Sequence, residues 1–286
     1  MDRDNGTGTR RPRAALAAVA GIVSLGLGYL YIGRVRLALA VPALIFGLVA
    51  LAGWTRFVME PVGFYVLCAL ILSLWLTSIV HPTIAAYRLD DLAAKPFNRA
   101  WVYVAWIAAF AVTNYYASEN RAALFGFESF RIPAGSMSPT VQRNDLIMVD
   151  TWYFERRRPA IDDLVVFDMP ASAGTKYIKR IVALPGDTLE IREDVLLRNG
   201  ASVVEPFIQL TASAGGIISN FGPVVVPDEH YFVLGDNRHN SRDSRIIGPI
   251  HEDLLYGRAE HRWFAYADGI SWSRFPERLS AEGGRP

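Results

Sequence analysis

The sequence predicts N-terminal transmembrane α-helices followed by an all-β domain, and three observations carry that prediction. Hydrophobic residues make up 51% of the 286 and are concentrated at the front, where four stretches within the first 117 positions approach the length that crosses a bilayer core of about 30 Å. After Ser118 no such stretch recurs, and short alternating or apolar runs divided by turns replace it. No segment of ten residues beyond that point repeats its apolar positions with the 3.6-residue period of an amphipathic helix.

The stretches run over about 14–33, 37–53, 62–80 and 100–117. The first is rich in Ala and Gly and follows Arg10, Arg11 and Arg13, so it also fits a cleavable signal sequence, the less favoured reading. Pro42 lies inside the second, where a membrane helix absorbs it as a kink. The third is the cleanest and contains Cys68, the sole cysteine, which excludes an internal disulfide. A loop with three cations, Arg88, Lys95 and Arg99, precedes the fourth, which is expected to deliver the chain to the outer face. If all four cross, Arg34, Arg36, Arg88, Lys95 and Arg99 lie inside and Arg3, Arg10, Arg11, Arg13 and Arg56 outside, so the positive-inside rule does not decide orientation. The opposite orientation of the N-terminus requires one stretch to be re-entrant or interfacial, and the first two, joined only through Arg34-Val35-Arg36, are the candidates.

Strands are expected at Asp145–Asp150, Leu164–Phe167, Lys176–Leu184, Thr188–Arg192, Val195–Arg198, Pro223–Val226 and His230–Leu234, with a hairpin turn at Asn199-Gly200. Together they suffice for one core, so residues 118–279 read as a single β-rich domain. Residues 209–221 read as a flexible excursion and 280–286 as a disordered tail. Residues 1–117 hold ten Lys/Arg against five Asp/Glu and the remainder nineteen against twenty-three, so no basic patch argues for nucleic acid. His230, His239, His251 and His261 lack metal-ligand spacing, and no metal or cofactor is expected.

The chain writes its cations as arginine, with twenty-six arginines and three lysines, yet Lys179 stands in an apolar strand-like run beside Arg180. An ammonium in an apolar setting can lose its proton near neutrality and a guanidinium cannot, so Lys179 reads as a general base. Strand alternation puts Tyr177, Ile181 and Ala183 on its face and turns Arg180 the other way, toward a carboxylate. Ser136, in the Pro- and Gly-braced segment Arg131 to Thr140, is the matching nucleophile, a weak one that needs an adjacent base. Each residue alone also reads blandly, as a turn serine and a snorkelling lysine. A third segment, GDNRHNSRDSR at 235–245, follows an apolar strand and reads as a loop cross-braced by ion pairs.

With GSMSPT (135–140), DDLVVF (162–167), YIKRIVALPGD (177–187) and this loop, the chain resembles bacterial type I signal peptidases, membrane-bound Ser/Lys endopeptidases, over roughly residues 130–260. The resemblance implies an all-β, signal-peptidase-like catalytic domain on the extracytoplasmic face of a multi-pass protein of the bacterial inner membrane. Its implied partners are membrane lipid and preprotein signal peptides with small residues before the cleavage site. It also implies that Ser241 hydrogen-bonds and orients Lys179, and that Asp236, Arg238, Asp243 and Arg245 hold the loop in shape. Many Gram-negative members carry an oxyanion-binding serine where this chain has Ala134, which leaves the second oxyanion donor unassigned. Phe130, Ile132, Pro133 and Ile178 are candidates for a shallow substrate groove, and equally for ordinary core. Trp152, Tyr153 and Phe154, ahead of Arg156 to Arg158, fit lipid headgroups or a solvated turn equally. Three rival readings remain: a Ser/His/Asp engine of Ser136, His239 and Asp236 or Asp243, a maturation peptidase for one substrate such as a pilin, and a catalytically silent membrane assembly factor.

Overall fold

The computed structural model describes residues 14–89, 99–170, 174–208, 219–264 and 277–279. Arg10, Arg11, Arg13, Lys95, most of the expected excursion (209–218) and the expected tail (280–286) lie outside them. The chain divides into two compact units, residues 1–125 and 126–286, so the helical unit runs past the expected limit at 117. The extension is α6, which follows α5 after a single turn residue.

The first unit contains α1 (Ala14–Val23), α2 (Leu27–Tyr31), α3 (Val35–Trp54), α4 (Pro61–Arg88), α5 (Ala100–Glu119) and α6 (Arg121–Phe125). Among the described residues α3 and α4 are long and apolar enough to cross a membrane, with mean hydropathies of 2.3 and 2.1. The first expected stretch is not one span. It breaks after Val23, and at 1.5 Å per residue α1 is about half the length a bilayer core requires. Gly26 makes the break: its φ is +81°, and a Cβ there would lie 2.2 Å from the Ala38 carbonyl oxygen. The chain then doubles back, and Ala17, Leu27, Leu30, Ala38 and Ala86 bury one another. The α5 helix has 20 residues, but its Trp, Tyr and Asn side chains lower its hydropathy and it does not join the two apolar helices.

The second unit is built from two antiparallel sheets. Its strands are β1 (Phe127–Arg131), β2 (Leu146–Asp150), β3 (Leu164–Asp168), β4 (Lys176–Ala183), β5 (Thr188–Arg192), β6 (Val195–Arg198), β7 (Ala201–Ser202), β8 (Phe221–Val225), β9 (His230–Leu234), β10 (Ile250–His251), β11 (Leu255–Phe264) and β12 (Glu277–Arg278). The only α-helices described there are the single turns α7 (Tyr153–Arg156) and α8 (Ser244–Ile247). The larger sheet runs β1-β2-β11-β3-β4-β9-β10 with β12 on β11, and the smaller runs β7-β6-β5-β8. Asn199 and Gly200 both have positive φ, as the two-residue turn between β6 and β7 demands.

The larger sheet is buried on both faces, since Leu164 and Val166 of β3 pack in one cluster and Val165 and Phe167 in another. That explains why β3 reads as a continuous apolar run. The sequence reading did not anticipate β1 or β11. In β11 the alternate positions Arg258, Glu260 and Arg262 are buried yet charged, which erases the apolar period. They are matched in place: Arg258 pairs with Glu260 at 2.8 Å and Asp163 at 3.0 Å, and Arg262 reaches Asp145 at 3.4 Å.

Candidate active site

Ser136 stands on the loop between β1 and β2. Buried Ile132, Met137 and Val141 root that loop in the core, and bonds from Ile132 N to Asp145 O (2.9 Å) and Asn144 N to Ile132 O (2.7 Å) close its neck. The serine is therefore displayed by a turn whose flanks cannot slide.

Lys179 lies in β4 opposite Val165 of β3 and is 2% exposed. Its Nζ donates to Ser136 Oγ at 2.8 Å and to the Ile178 carbonyl at 2.8 Å. Burial pushes its pKa down from 10.5 to about 8, while the charges of Asp243 and Asp236 hold it up. A lysine so placed gives up its proton within reach of neutral pH, next to a hydroxyl.

Arg180 points away from Lys179 and grips Asp236 with two bonds, Nε to Oδ1 at 2.8 Å and Nη2 to Oδ2 at 2.7 Å. Thr140, four residues after the serine, donates its hydroxyl to the same carboxylate at 2.5 Å. The loop after β9 completes the frame. Asn237 donates its N–H to the Ser136 carbonyl (3.1 Å) and its Nδ2 to the Gly135 carbonyl (3.2 Å). Asp243 accepts from Arg245 Nε at 2.8 Å and from Gly235 N at 3.1 Å. Arg245 Nη2 donates to the Arg238 carbonyl at 2.6 Å, and Arg238 Nε to the Gly235 carbonyl at 3.2 Å.

Ser241 departs from expectation. It is 4% exposed, but its Oγ makes no hydrogen bond among the described residues. The expected bond to Lys179 is not formed; the lysine's Nζ donates instead to Ser136 and to the Ile178 carbonyl. Ser241 instead crowds Gly235, where a Cβ would meet its Oγ at 2.2 Å. His239, the rival base, has its Nε2 on Asp194 Oδ1 at 3.1 Å. Among the described residues no three of His, Cys, Asp and Glu converge as metal ligands.

Phe130, Ile132, Pro133 and Ile178 line one cavity of about 260 Å³ together with Ala134, Ser136 and Lys179. Lys176 lies on its wall, bonded to Asp168 at 2.9 Å, with its Nζ 3.4 Å from the centre of the Tyr256 ring. Arg156 and Arg157 stack over Trp152 and Tyr153 at 5.3 and 5.7 Å. Thr140 and Asn237 were within the quoted motifs without an assigned role. Their contacts run between segments about a hundred residues apart, and no local pattern announces them.

The family model described as signal peptidase, peptidase S26, matches residues 101–264. A probable signal peptidase I-2 of Synechocystis sp. is 37% identical over 145 residues, covering 49% of this chain and 64% of that protein. A signal peptidase I of Bacillus licheniformis is 34% identical over 181 residues, covering 60% of this chain and 94% of that protein. A solved signal peptidase I from Enterococcus faecalis V583 is 30% identical, with 36% of this chain and 97% of that one covered at a TM-score of 0.32.

Proposed function

Because the chain belongs to the signal peptidase family, peptidase S26, we propose that it is a membrane-anchored serine endopeptidase that removes signal peptides from exported preproteins through a Ser136/Lys179 dyad. One observation carries the reading: a buried lysine, 2% exposed, whose Nζ lies 2.8 Å from the hydroxyl of a rigidly held serine. Neutral Lys179 takes the Ser136 proton as Oγ bonds to the scissile carbonyl carbon. The resulting ammonium protonates the departing amine nitrogen as the C–N bond breaks. A water, deprotonated by the same lysine, then attacks the acyl-enzyme, and the proton returns to Ser136 Oγ.

The oxyanion needs donors that are already oriented. The Ser136 N–H supports that role, since it donates to no group among the described residues. Ala134 offers no hydroxyl beside it. The small, mostly apolar cavity walled by Phe130, Ile132, Pro133 and Ile178 suits the short side chains that precede the cleavage site. Apolar α3 and α4 supply the anchor, with the β domain on the extracytoplasmic face. Ser241 acts, in this reading, by filling the space behind Gly235 and not by a direct bond to the lysine. Incubating the purified full chain and its Ser136→Ala variant with a panel of preproteins, then sequencing the product N-termini, tests the proposal. Cleavage by the wild type after small residues, absent from the variant, is expected; equal processing by both defeats it.

A further inference from the structure

The segment Val203–Ile208 follows β7, at the edge of the smaller sheet, and takes no part in the chemistry above. Its first residue is bonded back to that sheet, Val203 N to Leu196 O at 2.9 Å. Beyond it the side chains split between two sides: Val204 is 89% exposed, while Glu205 and Phe207 both reach inward. Glu205 forms an ion pair with Arg238 in which the two side chains are only 4% and 3% exposed. The Phe207 ring covers the guanidinium of Arg180 at 3.7 Å. A second tie joins the same sheet to the same loop, Asp194 to His239.

The Phe207 contact ends one residue from Lys179, and the Glu205 contact one residue from the group that holds Ser136. Arg180 follows Lys179 in β4, and Arg238 follows Asn237, whose backbone N–H holds the Ser136 carbonyl. From this geometry we propose that Val203–Ile208 is a positioning strap, in which Glu205 acts through Arg238 on Ser136 and Phe207 acts through Arg180 on Lys179. The proposal rests on the dyad reading for its kinetic consequence but not for its structural one.

Among the described residues the titratable and polar side chains facing Lys179 are few. They are the Ser136 hydroxyl, the Tyr177 ring at 5.6 Å on its own strand, and Asp236 and Asp243 from the loop after β9. Arg180 is bonded to Asp236, and Arg245 to Asp243. Removing the ring over Arg180 admits water beside the Arg180–Asp236 pair. Asp236 is then less well matched, and the freer negative charge near Lys179 favours the ammonium.

The chain's three lysines make this readable. Full-length protein in detergent micelles, labelled with ¹³C-lysine, yields three ε-carbon titrations, and Lys179→Met identifies one. Phe207→Leu is expected to raise the Lys179 midpoint by about one unit with the melting temperature nearly kept. On one preprotein it should also lower kcat about tenfold while KM stays within about twofold. Phe207→Tyr, which keeps the ring face, should restore both. Glu205→Gln should lower kcat in the same way, and if that variant fails to fold, Phe207→Leu decides alone. An unmoved midpoint in Phe207→Leu, or a shift that Phe207→Tyr does not reverse, overturns the strap. Should the wild type cleave no preprotein, the dyad reading falls while the titration still judges the strap.

Discussion

Replacing Lys179 by arginine separates proton transfer from positive charge. With the pKa lowered from 10.5 to about 8, the neutral share of Lys179 at pH 7 rises from about 0.03% to about 10%, a gain of roughly 300-fold in base. The wild-type kcat/KM should therefore climb about tenfold per unit between pH 6 and 7 and level off near pH 9. At pH 6 it should lie about a hundredfold below the plateau. A guanidinium with a pKa above about 12 leaves at most about one part in 10⁵ neutral at pH 7, so Lys179→Arg should lose about four orders of magnitude, and Lys179→Ala should be as inactive. His239→Ala should keep the limb where it is, because the His239 ring is engaged with Asp194. Initial rates on one preprotein from pH 5.5 to 9.5 measure all four proteins. An arginine variant within tenfold of wild type, or a wild-type limb centred below pH 7, refutes the lysine as base.

Other perturbations follow from the same geometry. Because the folded-state pKa of Lys179 lies below its unfolded value, the unfolded chain binds the extra proton between pH 8 and 10.5 and stability rises with pH across that window. Lys179→Met should thus be more stable than wild type at pH 7 by on the order of 3 kcal/mol, with the gap closing toward pH 10.5; denaturant titrations of the full chain in detergent at both pH values check this, and a constant gap contradicts it. Gly235→Ala drives a Cβ to 2.6 Å from the Ser136 carbonyl oxygen, so activity should fall at least about tenfold while the far-ultraviolet circular dichroism spectrum is retained. Arg258→Met leaves Asp163 and Glu260 facing each other without their cation, and a loss of about 3–5 kcal/mol is expected, read as a lower melting temperature.

The contact between Lys179 and Ser136 at 2.8 Å was legible as an expectation because the proposed chemistry dictates composition: a lysine retained among arginines, in an apolar run, reads as a proton acceptor. Strands with one apolar character throughout, such as β3 and β9, were legible for the same reason. What stayed hidden was compensated polarity. Strand β11 buries Arg258, Glu260 and Arg262, and the pairing of Arg258 with Glu260 and Asp163 and of Arg262 with Asp145 makes those charges tolerable. The break in the first apolar stretch was hidden differently, since Gly26 is one of several glycines there and its left-handed turn depends on how closely Ala38 approaches. Ser241 was assigned by resemblance, and the bonds the lysine makes instead are set by its rotamer, which spacing along a strand does not encode.

The strand order has a consequence in time. The β11 strand, at residues 255–264, is inserted between β2 and β3, which precede it by about a hundred residues. As the chain leaves the ribosome, then, β2 and β3 have no partner on their facing edges, and the larger sheet cannot close until nearly all of the protein has been made. The loop that fixes the Ser136 carbonyl also arrives late, at residue 237. Ser136 and Lys179 are thus both synthesised well before they are brought into register, and on the proposed mechanism a nascent chain carries both groups without the activity they would have together.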